Sequence, residues 1–202
     1  KLMAIIVEHD KRKHEILKNA LEVFIEEGYE DVTFQKIADR CGITRTTLYI
    51  YFKNKREIFL WSIKQLTEQI EVELISLIEN DSISAADCLR KMLETILNVC
   101  LCQKELFGVL LSYLMSLKKA GVDPGKRVRR RLVRLQHLLS NVIIRGIKTK
   151  EFKSVNVKVI NEMIYGLIQA LIFRLAVLDE ESCSEINQTF EMIISGLLIE
   201  NK

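Results

Sequence analysis

The sequence predicts an all-α fold, and three observations carry that prediction. The 202 residues include a single proline, Pro124, and only eight glycines, and both residue types destabilise the interior of a helix. The Asn-Gly and Asp-Gly pairs that favour β-hairpins are absent. Leu and Ile dominate the 49% of hydrophobic residues, and they recur with the three- and four-residue spacing of amphipathic helices.

Three compact helices are predicted in the first quarter of the chain. The first spans about residues 10–27, and Gly28 stands where a left-handed cap would end it. Thr33 can N-cap a short second helix that ends at Gly42, and Thr44 can N-cap a short third one. The apolar stripe of the first helix consists of Ile16, Leu17, Ala20, Leu21, Phe24 and Ile25.

Longer helices are predicted for the rest of the chain. Asn54 begins a helix over about 55–79, and Ser84 resembles the start of a capping box. Asp123-Pro124 is a strong helix start, while Ser154 and Ser182 can cap the last two helices. The predicted ranges after residue 79 are 84–102, 104–119, 124–148, 155–178 and 183–199. We place one domain at 1–54 and a second at 55–202.

Two short helices joined by a turn that contains Gly42 are typical of a helix-turn-helix. Ile37, Ala38, Ile43 and Leu48 would form its core. In this motif the N-terminal residues of the second helix face base edges in the major groove of DNA. The predicted site is therefore a DNA-reading surface.

Residues 33–57 carry a family resemblance. They read Thr-Phe-Gln-Lys-Ile-Ala-Asp-Arg-Cys-Gly-Ile-Thr-Arg-Thr-Thr-Leu-Tyr-Ile-Tyr-Phe-Lys-Asn-Lys-Arg-Glu, which resembles the TetR family of bacterial regulators. Two positions depart from the family pattern. The family often has Ala where Cys41 stands and Gly where Thr46 stands. The resemblance implies about nine helices, pairing of two subunits through the C-terminal helices, and a ligand pocket whose occupation releases DNA.

The expected DNA-binding residues fall into two groups. Arg45 can bridge guanine O6 and N7, and a threonine methyl can touch a thymine methyl. Side-chain cations and hydroxyls and free N–H groups at helix starts can hold phosphates. The expected base readers are Arg45, Thr46, Thr47 and Tyr49. The expected backbone contacts are Thr33, Lys36, Thr44, Tyr51, Lys53 and Lys55.

The C-terminal helices supply ligand and dimer candidates. Ligand pockets are mainly apolar with sparse polar groups, which favours Trp61, Phe107, Leu111, Met115, His137 and Phe173. Helix 155–178 is apolar on more than one side, so one side can meet a partner chain. The expected homodimer interface comprises Ile160, Ile164, Leu167, Leu171, Phe190, Ile194 and Leu197.

Basic residues are concentrated in two segments. Residues 34–56 hold six Lys/Arg against one Asp, and residues 124–150 hold nine Lys/Arg and no acid. The first segment coincides with the helix-turn-helix. The second, densest at 126–134, is interpreted either as a solvated face or as the site of an anionic ligand or acidic partner.

Other classes of function find little support in the sequence. Five cysteines without a CxxC pair argue against a disulfide framework or a zinc site, and inert thiols are favoured over redox sensing at Cys100 and Cys102. No GxSxG, HExxH or P-loop is present, so we expect neither an enzyme nor a cofactor. The N-terminal apolar run is too short for a signal peptide, and the run at 166–178 falls short of a membrane span. We expect a cytoplasmic regulator that binds operator DNA and a small-molecule inducer. A helical-pocket enzyme and a protein-recruiting adaptor are the alternatives.

Overall fold

The structure is a computed structural model. It describes residues 2–180 and 184–199, but not the side chains of residues 2–7 and 126–132. Across these residues the chain folds into nine α-helices. They are α1 Leu2–Asp31, α2 Phe34–Arg40, α3 Arg45–Tyr51, α4 Lys55–Ile78, α5 Ala85–Cys102, α6 Lys104–Lys119, α7 Gly125–Lys148, α8 Val157–Val177 and α9 Ser184–Leu197.

Most helix starts coincide with the predicted caps. The hydroxyl of Ser84 accepts the N–H of Asp87 at 3.0 Å, as a capping box requires. The amide oxygen of Asn54 accepts the N–H of Glu57 at 2.9 Å, while the Glu57 carboxylate accepts the N–H of Lys53 at 2.7 Å. In the capping box of α4, the Glu57 side chain therefore accepts the N–H of the residue before Asn54 and not the N–H of Asn54 itself.

Three termini differ from the prediction. The first helix begins at Leu2 instead of near residue 10. Asn156 caps α8, because its side-chain oxygen accepts the N–H groups of Lys158 and Val159, so the predicted cap at Ser154 is wrong. Gly28 interrupts α1 with φ 78° and ψ 159°, a positive φ but not the left-handed helical conformation. The predicted cap at Ser182 lies outside the described residues.

The contacts divide the chain into two compact units, residues 1–70 with 109–116 and residues 71–108 with 117–202. By contacts, residues 55–70 belong to the first unit. The functional boundary that the sequence suggests between residues 54 and 55 stays a prediction.

The first unit is built on α1, α2, α3 and the start of α4. Its largest buried side chains include Ile16, Phe24, Ile37, Leu48, Phe52, Ile58 and Phe59. Four aromatic rings then join α1, α4 and α6: the Tyr113 ring centroid lies 4.5 Å from that of Tyr29 and 5.0 Å from that of Phe59, and Phe24 packs edge-on to Phe59. Burial, aided by Tyr113, raises the pKa of Tyr29 to about 12.

The second unit is a bundle in which α5 packs on α7, α8 and α9, and α8 packs on α7 and α9. Phe152, which is buried, covers Gly146 of α7 so closely that a Cβ there would lie 2.2 Å from the ring. The Glu151 carboxylate accepts the N–H of Ala85 at 2.7 Å and so serves the first turn of α5 as an anion.

The eighth helix differs from the sequence-based expectation that its apolar run is too short to span a membrane. As a whole, Val157–Val177 is long and apolar enough to cross a membrane by length and composition alone. Core helices of soluble proteins share that property, and Ile164, Ile168 and Leu171 on one side of α8 are buried in the bundle.

Candidate nucleic-acid interface

The turn between α2 and α3 has the geometry that the sequence predicts. Thr33 caps α2 by accepting the N–H of Lys36 at 3.3 Å, and Thr44 caps α3 by accepting the N–H of Thr47 at 3.1 Å. Between them Gly42 adopts φ 63°, a conformation that glycine adopts at little cost. The two caps and the glycine fix the direction of α3 relative to α2.

The outer face of α3 is where the predicted base readers lie. Arg45, Thr46 and Tyr49 are exposed, and the Arg45 guanidinium donates to the Tyr49 hydroxyl at 3.2 Å. The Tyr49 ring, half exposed, stacks on Phe34 with centroids 4.5 Å apart. Arg45 and Tyr49 are thus held side by side on one face of the helix.

Two residues of α3 differ in environment from the sequence-based picture. Thr47 is partly buried, and its hydroxyl lies 2.8 Å from that of Thr44, so it is bound up with the cap. Ile50 was not among the predicted residues, yet 70% of it is exposed. An exposed apolar side chain on such a helix can contact a thymine methyl. The sequence signal that could have identified Ile50 is its place between Tyr49 and Tyr51 in the motif.

An open groove beside the turn is poorly suited to binding phosphate. Asp39, Gly42, Ile43, Thr44 and Thr47 line a depression of about 580 Å³. Its only ionisable group among these is the carboxylate of Asp39, which accepts a hydrogen bond from Gln35 at 2.7 Å. A negative charge at this point repels the DNA backbone, so phosphate contacts belong elsewhere on the surface.

The basic residues of segment 34–56 are not equivalent. Lys36 pairs with Glu27, and Arg40 pairs with Glu26 and Glu22. The hydrogen bond from Arg40 lowers the pKa of the Glu26 carboxyl. Lys53 is exposed, as Lys36 and Arg40 also are. Part of the local positive charge is therefore neutralised within the unit.

Lys55 has a structural position that the sequence did not reveal. Its ammonium donates to the carbonyl oxygens of Tyr29, Glu30 and Val32 at 2.9, 2.8 and 3.0 Å. It also lies 4.9 Å from the centroid of the Tyr29 ring. An ammonium has three donors, and here all three close the link between α1 and α2. A phosphate contact would have to replace one of these bonds.

Tyr51 ends α3 and is partly buried. Its ring stacks on that of His9 from α1, with centroids 4.7 Å apart and an angle of 24° between the planes. His9 was not among the predicted site residues, since the three histidines are scattered in the sequence. Only the fold brings residue 9 beside residue 51.

The six predicted ligand residues do not form one cluster within either unit. Trp61, Leu111 and Met115 belong to the first unit, and Phe107, His137 and Phe173 to the second. Lys13 and Lys64 lie 4.6 and 4.3 Å from the Trp61 ring centroid, while Met115, His137 and Phe173 are exposed. The ligand site stays a prediction.

The predicted interface residues of α8 and α9 mostly face inward. Ile164, Leu171, Phe190, Ile194 and Leu197 are buried in their own chain and have almost no surface left for a second one, while Ile160 and Leu167 are partly buried. The exposed apolar side chains on these helices are instead Val159, Met163, Phe173, Val177 and Met192.

No metal centre accompanies this surface. Across residues 2–180 and 184–199, no group of three or more His, Cys, Asp or Glu side chains could hold a metal ion. Cys41, Cys88 and Cys100 are buried and Cys102 is exposed, and burial raises the pKa of the Cys41 and Cys88 thiols.

A capped helix-turn-helix with an exposed Arg and Tyr on its second helix defines a DNA-binding transcriptional regulator. Residues 16–60 match the family model described as bacterial regulatory proteins of the tetR family. The N-terminal part of the chain therefore carries a DNA-binding domain of the tetR type.

Similarity to known proteins extends over nearly the whole chain. The fatty acid metabolism regulator protein of Bacillus subtilis is 24% identical over 186 residues, which cover 91% of this chain and 94% of that protein. A TetR regulator structure from Haloarcula marismortui has a TM-score of 0.81 at 21% identity, covering 94% of this chain and 100% of that one. The structure of the regulator FadR from Bacillus subtilis in complex with stearoyl-CoA has a TM-score of 0.73 at 22% identity, covering 91% and 98%. The fold of both units therefore has TetR-type counterparts.

Proposed function

We propose that this protein is a repressor that binds a palindromic operator in the cytoplasm as a homodimer and is released by a long-chain acyl-CoA. The observation that carries the DNA-binding part is the placement of Arg45 and Tyr49 side by side on the exposed face of α3, where the guanidinium donates to the hydroxyl at 3.2 Å. Because neither is buried by its own chain, both remain available to a DNA groove.

Base and backbone contacts divide along α3 in this proposal. Arg45, Thr46 and Tyr49 read bases, and Ile50 adds an apolar contact. Thr33, Tyr51 and Lys53 lie at or beyond the helix ends, where their hydroxyl and ammonium groups suit phosphate. Thr44, Thr47, Lys36 and Lys55 have no leading role in this proposal, because each is engaged within the protein.

The second copy of the chain is proposed to cover the outer face of α8. Val159, Met163, Phe173 and Val177 are each about half exposed, and their spacing of four, ten and four residues places them on one side of the helix. On α9, Met192 is a further exposed apolar side chain, with 74% exposure. Several exposed apolar side chains on one side of a helix indicate an interaction site, and homodimers with twofold symmetry are the commonest oligomers.

The effector is proposed from the relatives. The Bacillus subtilis relative is named for fatty acid metabolism and aligns over 91% of this chain, and a structural neighbour over the same share holds stearoyl-CoA. We therefore propose a long-chain acyl-CoA as the releasing ligand. The basic segment 126–134 is an open candidate for its phosphates. Arg134 pairs with Glu71 at 3.1 Å, and the side chains of 126–132 lie outside the described residues.

The decisive experiment selects bound DNA from a random pool with the full chain, and then measures affinity for the selected duplex. We expect a palindromic site, and we expect Arg45→Ala with Tyr49→Ala to weaken binding at least about 100-fold, since a good bidentate base contact is worth about 1–3 kcal/mol. Arg134→Ala, an exposed arginine of the second unit, serves as the matched control. Undiminished binding by the double variant would refute the site.

A further inference from the structure

The first described side chains of α1 lie against the end of the recognition helix α3. His9 stacks on Tyr51 with ring centroids 4.7 Å apart. One turn later, the Lys13 ammonium lies 5.5 Å from the Phe52 ring centroid and 4.6 Å from that of Trp61. Residues four apart share one face of a helix, and that face continues into the buried Ile16. The side of α1 that faces the core thus continues to the C-terminal end of α3, and there it carries the polar residues His9 and Lys13.

The partial exposure of the His9 ring in its stack on Tyr51 suggests that His9 also contacts a bound ligand. About half of the His9 side chain stays exposed, and its Nδ1 lies 3.9 Å from the Asp10 carboxylate. Half-burial of an imidazole contributes less to packing than an apolar ring would, yet it keeps N–H donors at the surface. A phosphate that accepts a hydrogen bond from the Tyr51 hydroxyl would lie on the same side of the protein as that imidazole, because the two rings are stacked.

We infer that His9 is a part of the DNA interface, in which it holds the Tyr51 ring by stacking and donates an N–H to the operator backbone. This inference rests on the proposed function, since it assumes that Tyr51 faces DNA phosphate. It adds α1 to the elements that contact DNA, and it makes one contact dependent on protonation.

The charges around His9 determine the sign of the pH effect. On α1 the neighbouring groups are the Asp10 carboxylate and, one turn on, the Lys13 ammonium; α3 presents the Tyr51 hydroxyl, and Lys53 follows it in the loop. A phosphate accepts a stronger hydrogen bond from an imidazolium than from a neutral imidazole. We therefore expect the affinity for DNA to be higher at pH 6 than at pH 8.

The test compares wild type and His9→Gln on the selected duplex by fluorescence anisotropy, at pH 6 and pH 8, over a range of salt. At pH 6 we expect His9→Gln to bind about 3–10-fold more weakly, and its slope of log K against log salt to be smaller by about 0.9 per subunit, the value for one phosphate contact. At pH 8 the two slopes should agree. His14→Gln is the matched control, because the His14 Nδ1 already lies 2.8 Å from a backbone oxygen of its own helix.

The outcomes separate this inference from the proposed function. Wild-type binding with the same salt slope for His9→Gln at pH 6 would overturn the role of His9 alone. Equal weakening at both pH values without a change in slope would also overturn it, because the stack would then only shape Tyr51. A wild type that selects no DNA at all would overturn both. Thermal unfolding of His9→Gln, unchanged from wild type, excludes a folding defect.

Discussion

Lys55 is the residue at which local sequence and tertiary structure lead to different roles. Its place at the start of α4 suggests a phosphate contact, because helix N-termini attract anions. Its three hydrogen bonds to carbonyl oxygens of the α1–α2 link instead make it a cross-link from α4 to residues that precede it by 23 to 26 positions in the chain. Such non-local partners have no signal in the residues around position 55.

The replacement Lys55→Met separates these roles. We expect a loss of about 1.5–3 kcal/mol in the free energy of unfolding, the range for hydrogen bonds to a charged group, measured by urea denaturation at a fixed protein concentration. Lys53→Met, at an exposed lysine two residues earlier, should leave stability almost unchanged and reduce the salt dependence of DNA binding by about one phosphate contact. Unchanged stability of Lys55→Met together with a reduced salt slope would restore the phosphate role.

At the scale of the element, the caps of this fold were the most predictable feature. Thr33, Thr44 and Ser84 each accept the backbone N–H that their spacing predicts, because capping depends on residues within one turn. The same locality misled at α8, where Ser154 and Asn156 both suit a cap and Asn156 holds it. Sequence spacing alone does not decide between two good caps two residues apart.

The faces of α8 show a different limit of sequence reasoning. Apolar residues surround most of this helix, so its periodicity does not tell which side packs in its own bundle and which side faces outward. Ile164 and Leu171 proved to be buried while Met163 and Phe173 are about half exposed. The choice depends on where α5, α7 and α9 lie, which is a property of the assembled bundle. The existence of two apolar sides was predictable, but their assignment was not.

Charge placed on the outer face of α8 tests the proposed dimer. Met163→Glu with Phe173→Glu would bury two unpaired carboxylates at an apolar contact, which is strongly unfavourable. We expect the dissociation constant of the dimer to rise at least about 100-fold, since central interface residues contribute about 2 kcal/mol or more each. Light scattering after gel filtration gives the mass. Asn141→Glu, at an exposed polar position of α7, is the control. A dimeric double variant would place the interface on another surface.

For the whole molecule, the candidate site could be predicted in part. The helix-turn-helix and its proposed base-reading residues follow from a continuous segment of about 25 residues, in which the caps, the turn glycine and the exposed side chains are close in sequence. His9 joins Tyr51 only through the packing of α1 on α3. The ligand candidates are spread over both units, and apolar spacing does not distinguish a pocket lining from an ordinary core.

Release by an effector is a property of the whole chain, and it requires that DNA and ligand influence each other reciprocally. If a long-chain acyl-CoA is the effector, stearoyl-CoA should weaken operator binding by about 5–150-fold, the usual range of coupling between two sites. The selected duplex should weaken stearoyl-CoA binding by the same factor. Both are measurable with one protein, by anisotropy of labelled DNA and by fluorescence of Trp61, the single tryptophan of the chain, which lies in the first unit.

The controls identify which part of the ligand matters. Coenzyme A alone tests the contribution of its phosphates, and stearate alone tests that of the acyl chain. Neither should reproduce the full effect, because affinity from a mainly apolar pocket adds to that of a few polar groups only when one molecule carries both. Equal operator affinity with and without stearoyl-CoA, below the concentration at which it forms micelles, would contradict the acyl-CoA assignment. The DNA-binding surface on α3 would stand unaffected, since its test does not involve the ligand.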